Sequence, residues 1–276
     1  MKPQAQPRPA CVHAFQQMVK GYYTRHGRNL PWRETSDPYR ILISEIMLQQ
    51  TQVARVIDKY GMFIKAFPDV ESLAQAPLRE ILSAWQGLGY NRRAFSLKKL
   101  AKEIVVQFSA TIPSSPKLLM RLPGIGSATA HAVCVFAFNQ PVVFIETNIR
   151  AVFIYHFFEN KHAVRDGDIL PLVAQTLDRD DPRTWYWALM DYGVMLKRNH
   201  ANPNRGSAHY RKQAPFAGSN RQIRGMILKT LVTQPRVPEK LLLEELQFPI
   251  DAVKNNLERL EKEGLIVRKG NFVSVA

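Results

Sequence analysis

Apolar residues recur at helical spacing along most of the chain. Residues 13–23 read as an amphipathic helix. Residues 39–60 place Ile41, Ile43, Ile46, Leu48, Val53 and Val56 as one long helix or two in succession. Helices follow at 70–75, 78–86 and 92–108, punctuated by Pro68, Pro77 and the break Gly87-Leu88-Gly89. Ser115-Pro116 opens another, which runs to the glycines at 124–126, and the stretch 127–138 resumes it. Segments 148–158, 166–177 and 182–196 complete the set. No alternating strand is predicted before residue 260.

The pattern changes near the C-terminus. Asn220 is placed to cap a helix carrying Ile223, Ile227 and Leu231. A second helix is predicted at 238–246. A third, at 249–263, has Ile250, Val253, Leu257 and Leu260 in helical register, and Gly264 ends it. Two short apolar runs, 265–268 and 271–275, flank Lys269-Gly270, a hairpin turn signal. Three helices and a hairpin predict a winged helix. The chain is therefore expected to be mainly α. Residues 1–12 form a loose Pro-rich tail, 13–200 a main helical domain, 201–219 a basic linker and 220–276 a small winged-helix domain.

Composition narrows the partners. The 276 residues carry 38 Lys and Arg against 23 Asp and Glu, a net charge of +15. Such an excess attracts polyanions, nucleic acid first and an anionic membrane surface second, unless it serves only solubility. Residues 220–276 hold ten basic and seven acidic residues, so most of the excess lies before them. Within 197–219, Lys197, Arg198, Arg205, Arg211 and Lys212 occur with no acid among them. That segment is either a solvated linker or a DNA-facing one. No apolar run reaches the roughly 18 residues of a membrane span, and the N-terminus lacks the apolar core of a secretory signal. Cys11 and Cys134 are the only cysteines. They make neither a disulfide framework nor a metal cluster, and a cytoplasmic setting is expected. Cys134, inside the apolar run 132–138, is expected in the core.

Candidate chemistry starts at Leu122-Pro123-Gly124-Ile125-Gly126. Gly124 and Gly126 are expected to permit positive φ and close backbone approach. The N–H groups that follow, near Gly126 and Ser127, would face a phosphate with the positive end of a helix dipole. A phosphate held this way fixes register without reading sequence. Taken alone the same glycines fit an ordinary helix–turn–helix corner. A carboxylate segment, Ile145-Glu146-Thr147-Asn148-Ile149-Arg150, comes shortly after.

The run LPGIGSATA resembles the hairpin of the helix-hairpin-helix DNA glycosylases, the superfamily of endonuclease III and MutY. Leu30-Pro31-Trp32-Arg33, the run from Ser44 to Val53 (SEIMLQQTQV), Trp85-Gln86-Gly87-Leu88-Gly89-Tyr90 with Arg93-Ala94, and Ala188-Leu189-Met190-Asp191-Tyr192-Gly193 resemble the MutY branch in particular. The matches fall in order over roughly 13–200. The resemblance implies a two-lobed helical glycosylase domain that excises a mispaired or damaged base, adenine first, from double-stranded DNA. A thymine or uracil mismatch glycosylase, and a lesion-binding protein without catalysis, stay open as alternatives.

By that resemblance Glu45 is the general acid that protonates the leaving base. Gln50 wedges into the opened stack and Tyr90 contacts the same duplex. Arg33, Leu122, Gly124, Gly126, Ser127 and Asn148 hold DNA or the carboxylate beside it. Glu146 stands where the family has aspartate, whose charge stabilises the oxocarbenium-like sugar. The extra methylene leaves three outcomes: an adjusted working site, a different base, or a site that only binds. Ala128 stands where bifunctional members carry a Schiff-base lysine, so strand cleavage is not expected. Lys197 stands where the first of four iron–sulfur cysteines would fall, and no cysteine follows, so no cluster is expected. The resemblance allows a monovalent cation at the hairpin carbonyls, which the sequence does not show. MutY proteins usually carry a β-rich C-terminal domain that reads 8-oxoguanine, and the predicted winged helix takes its place here. Protein partners are not legible.

Overall fold

A computed structural model describes residues 9–159 and 161–276. The expected tail at 1–12 lies largely outside them, and from Pro9 the chain is already helical. Fourteen α-helices and three strands follow in chain order among the described residues: α1 (Pro9–His26), α2 (Pro38–Leu48), α3 (Val53–Ala66), α4 (Val70–Gln75), α5 (Leu78–Ala84), α6 (Arg92–Phe108), α7 (Pro116–Leu119), α8 (Ser127–Phe138), α9 (Thr147–Phe157), α10 (Asp166–Thr176), α11 (Pro182–Asn199), α12 (Asn220–Thr233), β1 (Val237–Pro238), α13 (Glu239–Glu245), α14 (Ile250–Lys262), β2 (Ile266–Lys269) and β3 (Phe272–Val275). The segment 39–60 is two helices, with Gln50 in the turn between them. Its backbone φ of 55° cannot continue a right-handed helix.

The chain divides into two compact units. The first contains the residues up to Ile41, Ser114–Met120 and Gly126–Lys212. Its centre is the packing of α9 on α11, with α1 and α10 against them. Within this core Phe15 packs tilted on Phe153 at a centroid distance of 5.6 Å and edge-on to Trp185 at 6.0 Å. Gly193 is what allows α11 to lie so close to α9. A Cβ there would stand 2.4 Å from the backbone oxygen of Asn148. Cys134 is buried in α8, as the apolar run predicts, and burial pushes its thiol up to about 11.

The second unit contains Leu42–Pro113, Arg121–Ile125 and Gln213–Ala276. Here α6 packs on α4 and α5, and α5 also packs on α12. The C-terminal region is thus continuous with the helices that precede it. Arg79 of α5 donates to the carbonyls of Val232 and Thr233 at 2.8 and 3.1 Å.

Residues 220–276 form three helices and a hairpin, with differences from expectation. Ser219, not Asn220, caps α12, its side chain accepting from the Gln222 N–H, while Asn220 accepts from Asn256. A strand unseen in the pattern, β1, pairs antiparallel with β3 through Val237 and Val273, giving the sheet order β1-β3-β2. Two residues are too few to show alternation. The segment 201–219 is also not a free linker throughout. Pro203–Gly206 forms a 3-10 turn against α9, where Asn204 donates to the Thr147 carbonyl at 3.0 Å, and Val164 pairs with Ser207.

Candidate active site and nucleic-acid interface

Glu146 is the N-cap of α9. Its Oε1 accepts the backbone N–H of Asn148 at 2.7 Å and of Ile149 at 2.8 Å. Its Oε2 accepts the Asn148 side-chain amide at 3.0 Å. A shorter carboxylate would suit this cap more commonly, yet the glutamate chain folds back far enough to make both backbone bonds. The added methylene is absorbed locally and the head group is fixed. Burial pushes the Glu146 carboxyl above the usual range. The Asn148 and Ile149 N–H groups, then Lys197 and Arg150, pull it back without cancelling that effect. An under-solvated carboxylate interacts more strongly with a developing cation than one in water. Lys197, half-buried on α11, has its own pKa lowered by desolvation, against which Glu146 acts to raise it. Its role as partner of Glu146 was not legible from sequence, where it marked only a missing cysteine. Asn148 occupies the position expected of a residue that holds the carboxylate.

Arg33 is held in an ion pair inside the first unit. It was expected to position DNA, but its guanidinium is buried and donates to both carboxylate oxygens of Asp191, each at 2.8 Å. Arg28 adds a bond to the same carboxylate at 2.7 Å. Burial would raise the Asp191 carboxyl, but Arg33 and Arg28 outweigh it and hold it below the usual carboxylate value. Two segments matched as separate signatures, LPWR and DYG, are therefore joined by one internal brace.

In the second unit, Gln50, Tyr90 and Gly124 line a single cavity of about 980 Å³. Gln50 and Tyr90 both hold left-handed backbone, with φ of 55° and 47°. Arg93 keeps both turns in place. Its Nη1 donates to the carbonyls of Ile46 and Met47 at 2.8 Å, and its Nη2 to Thr51 at 2.8 Å and to Gly89 at 3.2 Å. Burial lowers the Arg93 pKa to about 10. The guanidinium also lies 5.2 Å from the Trp85 ring and 5.6 Å from that of Tyr90. Glu45 sits half-buried on α2, one turn before Gln49.

The hairpin differs in detail from expectation. Gly124 has φ of 81°, and a Cβ there would stand 2.9 Å from the Ser96 Cβ, so this position requires glycine twice over. Gly126 has φ of −88° and needs no special conformation. It is the N-cap of α8, and nothing of the described protein lies within 4 Å of where its Cβ would be, which leaves its face open to an approaching group. Ser127 and Ala128 are exposed in the first turn of α8. Leu122 is buried, so any contact it makes with DNA would be through its backbone. Gln49 donates to the Gly124 carbonyl at 3.3 Å, and the Ile125 N–H to the Leu122 carbonyl at 3.3 Å. Among the described residues, no group of three or more His, Cys, Asp or Glu could hold a metal ion, and no helix is long and apolar enough to cross a membrane.

Comparison with known proteins places this geometry. Residues 43–166 match the family described as the HhH-GPD superfamily base excision DNA repair protein. An adenine DNA glycosylase of Mycobacterium tuberculosis is 31% identical over 255 residues, covering 83% of this chain and 83% of that protein. The adenine DNA glycosylase of Buchnera aphidicola subsp. Baizongia pistaciae is 38% identical over 187 residues, 66% of this chain but only 52% of its own length. Among solved structures, a thermostable thymine-DNA glycosylase aligns with a TM-score of 0.63 at 26% identity, over 70% of this chain and 90% of that one. A trapped endonuclease III–DNA covalent intermediate aligns at 0.54 with 18% identity, over 78% and 93%.

Proposed function

The chain belongs to the HhH-GPD superfamily of base excision DNA repair proteins, and we propose that within it the protein is a monofunctional DNA glycosylase that flips a mispaired base, adenine by preference, out of double-stranded DNA and hydrolyses its glycosidic bond. The observation that carries this reading is the fixed Glu146 carboxylate. It is pinned by two backbone N–H groups and the Asn148 amide, partly desolvated, and tuned by Lys197. Such a group can stabilise the cationic sugar as the bond breaks. This favours the adjusted, working form of the site.

The remaining roles follow. Glu45 donates the proton that lets the base leave neutral. Gln50 and Tyr90, held by Arg93, occupy the space the base vacates. The open face at Gly126 and Ser127 receives a backbone phosphate. Water is the final nucleophile. Ala128 offers no amine, so the product is an abasic site with the strand intact. The protein works without an iron–sulfur cluster, since one of its two cysteines is exposed on α1 and the other buried in α8.

A panel of duplex oligonucleotides, each with one mismatch and each treated with alkali after incubation, tests the reading. Cleavage at adenine that disappears in Glu45→Gln, with DNA binding retained, is the expected result. Tight binding with no product on any duplex would refute it and leave a lesion sensor.

A further inference from the structure

Resting on the glycosylase reading above, we infer that Asn204, in the turn that follows α11, is a positioning residue for Glu146. It grips the peptide group between Thr147 and Asn148 and so keeps that group's N–H aimed at the carboxylate.

The link runs through one rigid plane. The Thr147 carbonyl and the Asn148 N–H belong to the same peptide group, whose atoms resonance holds planar. Asn204 Nδ2 donates to the Thr147 carbonyl at 3.0 Å. On the opposite edge of the plane, the Asn148 N–H donates to Glu146 Oε1 at 2.7 Å. Fixing the oxygen therefore fixes the direction of the N–H. A bond accepted at the carbonyl also polarises the peptide group and strengthens its N–H as a donor, because hydrogen bonds in a chain reinforce one another. Asn204 thus acts on the carboxylate without touching it.

The base from which this side chain reaches α9 is itself fixed. The Asn204 N–H donates to Asn202 Oδ1 at 3.1 Å, and the Asn204 carbonyl accepts the Ser207 N–H at 3.0 Å. The turn is then tied to the segment before α10. The Val164 N–H donates to the Gly206 carbonyl at 2.9 Å, and the Ala208 N–H to the Val164 carbonyl at 2.9 Å. The approach is close, since a Cβ on Gly206 would stand 3.1 Å from the Lys161 carbonyl oxygen.

Stability alone does not account for an asparagine here. The residue is 5% exposed. A carbonyl can only accept, so the amide must turn its nitrogen to Thr147 and its oxygen elsewhere. That Oδ1 is buried and meets no donor among the described residues. A buried acceptor left unanswered costs more than one neutral hydrogen bond contributes. An apolar side chain of the same size would remove the cost. Departures of this kind from full pairing of buried polar atoms are expected where a residue serves a site.

The test compares Asn204→Leu and Asn204→Ala in the full chain. Leucine is close to asparagine in shape but has neither donor nor acceptor, and alanine reports if leucine packs poorly. The Glu146 carboxyl is titrated by carboxyl-carbon NMR, with Glu146→Gln to assign its signal. Single-turnover excision is followed across pH. Affinity is measured on a duplex whose target deoxyadenosine carries a 2′-fluorine, which destabilises the cationic sugar and so keeps the substrate intact. The backbone N–H groups hold the Glu146 pKa down, so weakening the Asn148 bond should let it rise. In both variants the carboxyl titration and the acid limb of the rate profile should move together to higher pH. The rate at neutral pH should fall by about tenfold, less than the roughly hundredfold of a displacement of about 1 Å. Affinity should stay within about twofold of the wild type and the melting temperature within about 2 °C, because the lost bond and the removed orphan acceptor nearly offset. An unmoved titration with an unmoved rate would overturn the proposal, as would a rate that falls only in step with affinity or melting temperature. A titration that moves in a protein whose wild type excises nothing from any duplex would support the role of Asn204 and refute the glycosylase reading instead.

Discussion

Replacing Gly193 with alanine sets two effects of opposite sign against each other. Gly193 lies inside α11, where alanine is favoured over glycine by roughly 1 kcal/mol. The added Cβ, however, would stand 2.4 Å from the Asn148 carbonyl oxygen, 2.8 Å from its carbon and 2.9 Å from its Cβ. Ordinary contact begins near 3.5 Å. The overlap is about 1 Å, and the obstacle is mostly backbone, which cannot rotate away. Overpacking costs typically 1–3 kcal/mol, and a clash on backbone belongs at the upper end. The net expectation is a loss of about 2 kcal/mol, or roughly 4–8 °C in Tm for a chain of this size.

The functional effect is larger than the structural one. The displaced residue is Asn148, whose backbone and side chain both hold the Glu146 carboxylate. A shift of about 1 Å in a positioned group can cost on the order of a hundredfold in rate. Single-turnover excision and a thermal melt measure the two effects. Gly21→Ala is the control, because nothing lies within 4 Å of its Cβ position in α1 and it should be neutral or mildly stabilising. A Gly193→Ala protein that melts with the wild type and excises at the same rate would refute the account of how Glu146 is held.

Lys197→Gln removes a positive charge that lowers the Glu146 pKa. In the proposed mechanism that carboxylate acts ionised, so the acid limb of the pH–rate profile should move to higher pH, and an unmoved limb would disprove the coupling. Asp191→Asn leaves two arginines facing a neutral group inside the first unit and should cost about 3–5 kcal/mol, read as a fall in the urea midpoint. Because the folded Asp191 carboxyl is held below its ordinary 3.8, its contribution is present above that value and is lost as pH falls through the lowered one. Acid unfolding of the variant should lack this step. Borohydride added during excision should trap no covalent adduct, since Ala128 has no amine, and an adduct would show that another residue performs the lyase step.

Helix positions were legible because their signals are local. The bounds expected for α4, α6 and α8 coincide with those observed, since glycines and prolines punctuate an apolar period that any short window contains. The C-terminal helices and hairpin were legible for the same reason. So were the hairpin glycine at 124 and the carboxylate–amide pair of Glu146 and Asn148, which lie two residues apart. Apart from the shift of the α12 cap from Asn220 to Ser219 and the ordinary φ of Gly126, what the chain did not reveal depends on distance along it. Strand β1 exists only through its pairing with β3, 36 positions later by register. Arg33 reads as a free basic residue until Asp191, 158 positions away, is brought to it. Gly193 reads as a poor helix former until α9 lies against it. The C-terminal region reads as an appendage until Arg221 meets Tyr90, 131 positions before it. Backbone preference and apolar period act over one or two turns of chain. The charge a carboxylate feels, and the partner an arginine finds, are set by whatever the completed packing brings within a few ångströms.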